Sequence, residues 1–353
     1  MDNNCTMSMY QPTLKCRRKL LVHFTYYNIL SIALNGGNKM WKYADKKICN
    51  DFLLSLNLID NKKDNEIIKE IYSISNKAEN NYNIFRITKH DGGYRTIYEP
   101  NSVLKHIQKQ ILKNVLYIRS ISKYAKAYSK GISLLDNASP HKGKKVILKL
   151  DIKSFFDNIS FSNIYKYCFG LEYFPKQVGI LLTNLVTYND FLPQGAPTSS
   201  YISNLVMKEY DEKIGSWCNE RNICYTRYSD DMTFSGDFIP SELIKTVRKY
   251  LYKLGLKINN KKIHVIRSYY CQNVTGIVVN EKLQVPSKYR KKIRQEIYFI
   301  KKYGIESHLK RINMKDKNKY LRSLYGKILY VLQINKYDKE FIEYKKYILE
   351  IQK

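Results

Sequence analysis

Residues 225–236 read YTRYSDDMTFSG and set two adjacent carboxylates between two short runs of aromatic and hydroxyl residues. Tyr225 to Tyr228 and Met232 to Phe234 have the composition of strands, and Ser-Asp-Asp that of a turn. The stretch is therefore predicted to be a hairpin with Asp230 and Asp231 where it turns. Upstream, KKVILKLDI (144–152) is an apolar run of strand length, predicted to be a buried strand with Asp151 near its carboxyl end. Strand and hairpin can lie side by side in one antiparallel sheet, which would bring three carboxylates together. Each acid taken singly has an ordinary explanation: a solvated hairpin tip for the pair, a turn cap for Asp151.

The charge around these acids is of the opposite sign. Lys and Arg number 61 against 31 Asp and Glu, a net charge of +30 in 353 residues. Codon bias toward Lys, Asn, Ile and Tyr accounts for the lysines better than for the shortage of acids. Such a field attracts polyanions, and 32 tyrosines among the basic residues favour a nucleic acid, whose bases can stack, over a membrane surface or an acidic protein. The seven cysteines (5, 16, 49, 168, 218, 224 and 271) include no C-x-x-C pair and read as reduced thiols. Near the start, KCRRKLLVHFTYYNILSIAL has basic residues before an apolar run. His23, Tyr26, Tyr27 and Asn28 interrupt that run, so a helix is expected there rather than a signal peptide. No stretch reaches transmembrane length, and a soluble, cytoplasmic protein without a membrane partner is expected.

Along the chain, residues 1–80 alternate helical patterns (Ile67, Ile68, Ile71, Ile74) with polar breaks. IFRITKHDGGYRTIYEP is predicted to be two strands around an Asp91-Gly92-Gly93 turn, followed by the amphipathic helix SVLKHIQKQILKNVLYI. QNVTGIVV is read as a third strand after the hairpin. In SKYRKKIRQEIYFIKKYG, Tyr289, Ile293, Ile297 and Ile300 recur at helical spacing, and two more such helices are expected to finish the chain. The class is α+β, a small antiparallel sheet packed on helices.

Three clustered acids repel one another unless cations neutralise them, and hard Mg²⁺ takes carboxylates together with phosphate oxygens. Phosphoryl transfer uses that arrangement. On this reading the basic surface holds nucleic acid, while Asp151, Asp230 and Asp231 hold metal at the reacting phosphate.

At this point the residues carry a resemblance. LDIKSFFDNI, LPQGAPTSSYISNLV, YSDD, LGLKINNKK and VTGIVV follow one another in the order of the polymerase motifs of reverse transcriptases, with GGYRTIYEP and LKHIQ upstream as in their fingers. NASPH (137–141) and VTG (274–276) are similar to signatures of bacterial retron reverse transcriptases, and the chain is of retron size. Ser229 stands where the YADD box usually has Ala, and Ser200 where the PQGxPxSP box usually has Pro. The resemblance implies a right-hand polymerase: an N-terminal helical extension (1–80), fingers (81–146), palm (147–283, with a fingers-contributing insertion at about 160–190) and a helical, RNA-binding thumb (284–353).

It further implies roles. Asp151, Asp230 and Asp231, with the carbonyl of Ile152, would bind two Mg²⁺ ions, Mn²⁺ being able to substitute. Phe156, beside Ser154 and Phe155, would exclude a ribose 2′-hydroxyl. Gln194 would line the sugar pocket, and the Gly195 turn would let backbone approach the nucleotide. Lys89 and Arg95 would grip the triphosphate. Lys262 would protonate pyrophosphate, with Lys261 an equal candidate. Asn137, His141, Thr275, Gly276, Arg290, Lys291 and Arg294 would contact RNA. The expected partners are dNTPs, a cognate noncoding RNA serving as template and primer, its branched RNA–DNA product, and a separate effector protein in phage defence. Competing readings are a group II intron or abortive-infection reverse transcriptase, an RNA-binding scaffold with a vestigial site, and a carboxylate-triad nuclease, which leaves PQGAPTSS unexplained.

Overall fold

A computed structural model describes residues 44–89 and 92–352. The helix expected over residues 15–34, and Asp91 of the expected turn, lie outside the described residues. The described chain forms two compact units, each assembled from separate stretches. One takes in the residues up to Ser122 with Ser154–Glu209 and Lys253–Leu256; the other takes in Lys123–Lys153, Tyr210–Tyr252 and Lys257–Lys353.

In the first unit, β1 (Tyr82–Thr88) and β2 (Tyr94–Pro100) pair antiparallel, with Ile87 opposite Arg95. The chain then enters the helix Ser102–Ile111, whose first turn is capped by the Asn101 side chain accepting from Leu104 N. Leu104, Ile107 and Ile111 are buried at the i, i+3, i+7 spacing read from the sequence. Buried Gln108 on the same face donates to Tyr82 Oη (2.8 Å) and to Leu185 O (2.9 Å), tying strand and helices together. Ile71 is buried on the helix Asp64–Asn76, as its periodicity implies.

The second unit contains a four-stranded antiparallel sheet. Its strands are β3 (Val146–Asp151), β4 (Cys224–Tyr228), β5 (Asp231–Gly236) and β6 (His264–Arg267), in the order β4-β5-β3-β6. The predicted hairpin and buried strand are thus neighbours. The third strand expected from QNVTGIVV is instead a miniature hairpin of β7 (Asn273–Val274) and β8 (Ile277–Val278). Thr275 and Gly276 between them both adopt positive φ (46° and 83°), the conformation of a tight two-residue loop. The remaining sheet neighbour, β6, is an edge strand with little burial and so had no apolar pattern to announce it.

After Ser287–Tyr303 come three helices rather than two, Ile305–Arg311, Lys317–Ile334 and Lys339–Gln352, with Gly304 at φ 77° dividing Ser287–Tyr303 from the first of them. Ile293, Ile297 and Ile300 pack in one core with Leu321, Leu324, Ile328, Phe341 and Ile348. Among the described residues no helix is long and apolar enough to cross a membrane.

The most deeply buried charges belong to Arg227 on β4 and Asp211 on the helix Ser199–Asn219, both inaccessible to solvent. The guanidinium grips the carboxylate with two bonds, Nε to Oδ1 (2.9 Å) and Nη2 to Oδ2 (2.6 Å), and donates a third from Nη1 to Ser229 O (2.9 Å). Tyr225 Oη also donates to Asp211 Oδ1 at 2.8 Å. Removing one partner leaves the other charge buried without compensation. Asp211→Asn is therefore expected to lower the unfolding free energy by about 3–5 kcal/mol, read as a lower urea midpoint.

Candidate active site

The carboxylates come together through strand register. Asp151 ends β3 directly opposite Asp231, the first residue of β5, and Asp231 in turn faces Tyr228 of β4. Ser229 and Asp230 are the two residues that turn the hairpin, and Ser229 takes φ 61°, a conformation glycine adopts more easily. Three contacts fix this turn: Arg227 Nη1 on Ser229 O, Tyr128 Oη on Ser229 Oγ (3.2 Å), and Ile152 N on Asp230 O (3.0 Å). The Tyr128 contact gives the Ser229 hydroxyl a partner that an Ala would lack.

Asp151 is buried and its oxygens are divided between two donors, Asn259 Nδ2 to Oδ1 at 3.1 Å and Lys262 Nζ to Oδ2 at 2.9 Å. Lys262, and not Lys261, is thereby the lysine at this site; its hydrogen bond to Asp151 holds its pKa above the usual lysine range. Burial pushes the Asp230 carboxyl up, and the Asp151 charge adds to the effect. Asp231 is also raised, by burial first and then by the charges of Asp230 and Asp151, with Lys149 and Lys262 opposing. Lys149 is itself lowered by burial and donates to Asn273 Oδ1 at 2.9 Å.

A cluster that penalises its own ionisation suits a cation, and the donors, all oxygen, suit a hard one. Asp151, Asp230 and Asp231 are the residues that could hold it. The Ile152 carbonyl is spared by the ladder bonds on either side of it, Asn259 N to Asp151 O and Lys153 N to Lys257 O. As the side chains stand, no three His, Cys, Asp or Glu among the described residues are gathered closely enough to enclose an ion.

The nucleotide-binding candidates of the first unit form a group of their own. Lys89 and Arg95 are exposed on the β1–β2 hairpin, on one face by the alternation of strand residues. Ser154 adopts φ 45° and leads into a short helix, Phe156–Asn158. Phe155 is buried, while Phe156 is half-buried with its ring 5.4 Å from that of Phe155. Burial raises the Asp157 carboxyl, and the Lys89 charge pulls it back, so Lys89 and the Phe156 turn share an electrostatic neighbourhood. Gln194 O accepts from Tyr98 N (2.7 Å), and a Cβ on Gly195 would come within 2.8 Å of Ile97 Cγ2 and 3.0 Å of Tyr98 O. The close approach that Gly195 permits is thus to β2, where an approach to nucleotide was expected.

The RNA contact expected of Asn137 and His141 does not fit their positions, since both are buried. His141 Nδ1 lies 2.7 Å from Ser235 Oγ and Nε2 2.8 Å from Thr226 Oγ1, while Thr226 Oγ1 donates to Asn137 O (3.4 Å). Asn137 Nδ2 donates to Thr275 Oγ1 (3.3 Å), leaving Gly276 exposed at the turn. Of the basic cluster at 290–294, Lys291 is exposed, whereas Arg290 bonds Asp338 (2.5 Å) and Arg294 bonds Glu340 (2.6 Å). Those two arginines join helices to each other, a use of charge that helical spacing does not reveal. Asp211, Arg227, Tyr128 and Asn259 carried no local signal and were not anticipated.

Burial holds the His141 pKa down to about 3. Below the usual histidine range the unfolded chain takes up a proton that the folded chain refuses, so stability falls as pH drops from about 6.5 toward 3. Between pH 7 and pH 5 this residue should cost about 2 kcal/mol. Urea unfolding of His141→Gln at both values is expected to show a pH-dependent loss smaller by that amount.

The sequence comparisons agree with this geometry. The family model for reverse transcriptase (RNA-dependent DNA polymerase) matches residues 87–319. The retron Ec86 reverse transcriptase of Escherichia coli is 33% identical over 230 residues, covering 63% of this chain and 71% of that protein. The retron Mx65 reverse transcriptase of Myxococcus xanthus is 30% identical over 250 residues, covering 64% and 58%. A telomerase structure from Candida tropicalis is a distant likeness, with a TM-score of 0.41 and 13% identity over 63% of this chain and 60% of that one. The chain belongs to the reverse transcriptase (RNA-dependent DNA polymerase) family, among the bacterial retron enzymes, and is an RNA-directed DNA polymerase.

Proposed function

We propose that this polymerase copies one cognate noncoding RNA, which supplies both template and primer. A guanosine 2′-hydroxyl starts synthesis, and the product is a branched RNA–DNA molecule. The observation that carries the chemistry is the register that sets Asp151 across from Asp231 with Asp230 at the adjoining turn. Two Mg²⁺ ions held by Asp151, Asp230, Asp231 and the Ile152 carbonyl would activate the attacking hydroxyl and stabilise charge on the leaving oxygen. Lys262, already bonded to Asp151, is the proton donor proposed for pyrophosphate.

In the same reading, Lys89 and Arg95 bind triphosphate, Gln194 and Gly195 shape the turn beside the sugar, and the Phe156 ring, set by Ser154 and Phe155, excludes ribonucleotides. Segments 81–146, 147–283 and 284–353 serve as fingers, palm and thumb. Lys291 and the Thr275–Gly276 turn remain RNA-contact candidates, with Asn137 supporting that turn from within. The cytoplasmic setting, a partner effector protein and a role in phage defence are part of this proposal. Sequencing the nucleic acid that co-purifies with the protein tests it, and a product lacking the 2′–5′ branch would favour an intron or abortive-infection enzyme.

Two substitutions address the chemistry. Asp230→Asn with Asp231→Asn is expected to abolish primer extension while RNA affinity stays near wild type, because ligation is lost and the basic surface remains. Extension persisting in that variant would remove the metal assignment. Phe156→Ala is expected to admit rNTPs, measured as a rise in the rNTP:dNTP incorporation ratio, and an unchanged ratio would make the ring a packing residue only.

A further inference from the structure

At the end of the β4-β5-β3-β6 sheet away from its carboxylates, two loops lie side by side. Residues 142–145 lead into β3 and residues 268–272 lead out of β6. Ser268 N donates to Lys145 O (2.9 Å), and Gly143 N donates to Val279 O (2.9 Å). The second loop is held from within by one side chain: Asn280 Nδ2 donates to Ser268 O (3.0 Å) and Tyr270 O (2.9 Å), and Asn280 Oδ1 accepts from Gln272 N (2.9 Å). Tyr270 N adds a bond to Arg267 O at 3.0 Å.

A backbone fixed at so many points presents two rings to water. Tyr269 is 72% exposed and Tyr270 63%, with centroids 4.6 Å apart. Single exposed aromatics are unremarkable, but an adjacent pair on a braced loop forgoes burial that a looser loop would recover. The two loops with Arg267 contribute Lys142, Lys144, Lys145 and Arg267 and no acid, although neighbouring Asp237 pairs with Lys145. Aromatic faces for bases beside cations for phosphates is the chemistry of single-stranded nucleic acid binding, and an apolar protein partner would not need the charges.

We infer that Tyr269 and Tyr270 form a stacking platform for unpaired bases of single-stranded RNA, with Lys142, Lys144 and Arg267 supplying charge for its phosphates. The identification of the strand as RNA rests on the function proposed above. The platform is separate from the chemistry, since β3 alone puts roughly 17 Å between this end of the sheet and Asp151.

The probe is a 12-nucleotide single-stranded RNA carrying 5-iodouridine, cross-linked by light to the full chain, with adducts mapped by peptide mass spectrometry and affinity measured by anisotropy. Adducts are expected on Tyr269 or Tyr270, and a blunt RNA duplex should give none there. Tyr269→Ala with Tyr270→Ala should weaken binding by about fivefold or more per ring, with the salt slope unchanged because no charge is removed. Tyr269→Phe with Tyr270→Phe should bind like wild type. Adducts only elsewhere, equal labelling by duplex, a Phe variant as weak as the Ala variant, or wild-type affinity in the Ala variant would each overturn the platform; the last would reassign the rings to a protein partner. Extension of a DNA primer on an unrelated RNA template should be equal in wild type and the Ala variant. Unequal extension would overturn the separation of the platform from the chemistry, and a co-purifying nucleic acid without a noncoding RNA would remove the function proposed above without touching the cross-link result.

Discussion

A guanidinium and a carboxylate buried without access to water, Arg227 and Asp211, determine where the Ser229–Asp230 turn can be. Taking two charges out of solvent is costly, and such a pair adds little net stability over apolar packing of the same volume. What it adds here is direction. Two of the Arg227 bonds are spent on Asp211, and the fork geometry then aims the remaining one at Ser229 O, one residue before Asp230. The Arg227 backbone is held as well, its N–H by Tyr124 O and its carbonyl by Lys126 N. A turn with a serine at positive φ would otherwise relax, and these contacts keep it in place.

The carboxylates inherit that rigidity. Asp230 and Asp231 are raised above ordinary carboxylates by burial first and then by the charges of the neighbouring carboxylates, so the site resists its own ionisation. Lys262 on Asp151 offsets part of this repulsion. The same charge arrangement therefore couples the raised carboxyls of the turn to the lysine beside them.

Local periodicity made much of this legible in the sequence. The apolar run of β3 and the aromatic and hydroxyl runs flanking Asp230 and Asp231 mark strands buried on both faces, the Ile293-Ile297-Ile300 stripe marks a helix buried on one, and each lies where the sequence places it. What escaped reading depends on backbone angles or distant partners. Thr275 and Gly276 turn at positive φ inside an otherwise strand-like run, and β6 is an edge without apolar alternation. Arg290 and Arg294 look like surface charge until Asp338 and Glu340 are folded against them. Asn137 and His141 have side chains that suit RNA, yet burial gives them hydroxyl partners instead.

Those buried polar groups answer a question that apolar packing leaves open. Successive residues of β4 point to opposite faces of the sheet, so Tyr225 and Arg227 share one face while Thr226 occupies the other. Asp211 binds the first pair, and His141 binds Thr226 together with Ser235 of β5. The hairpin is consequently gripped from both faces by hydrogen bonds, which tolerate far less sliding than contacts between methyl groups. A slip of one residue would present Arg227 to His141 and Thr226 to Asp211, leaving buried donors and acceptors unmatched. It would also move Asp231 away from Asp151. The polar interior of this sheet, costly as it is, thus excludes the registers in which the three carboxylates would not meet.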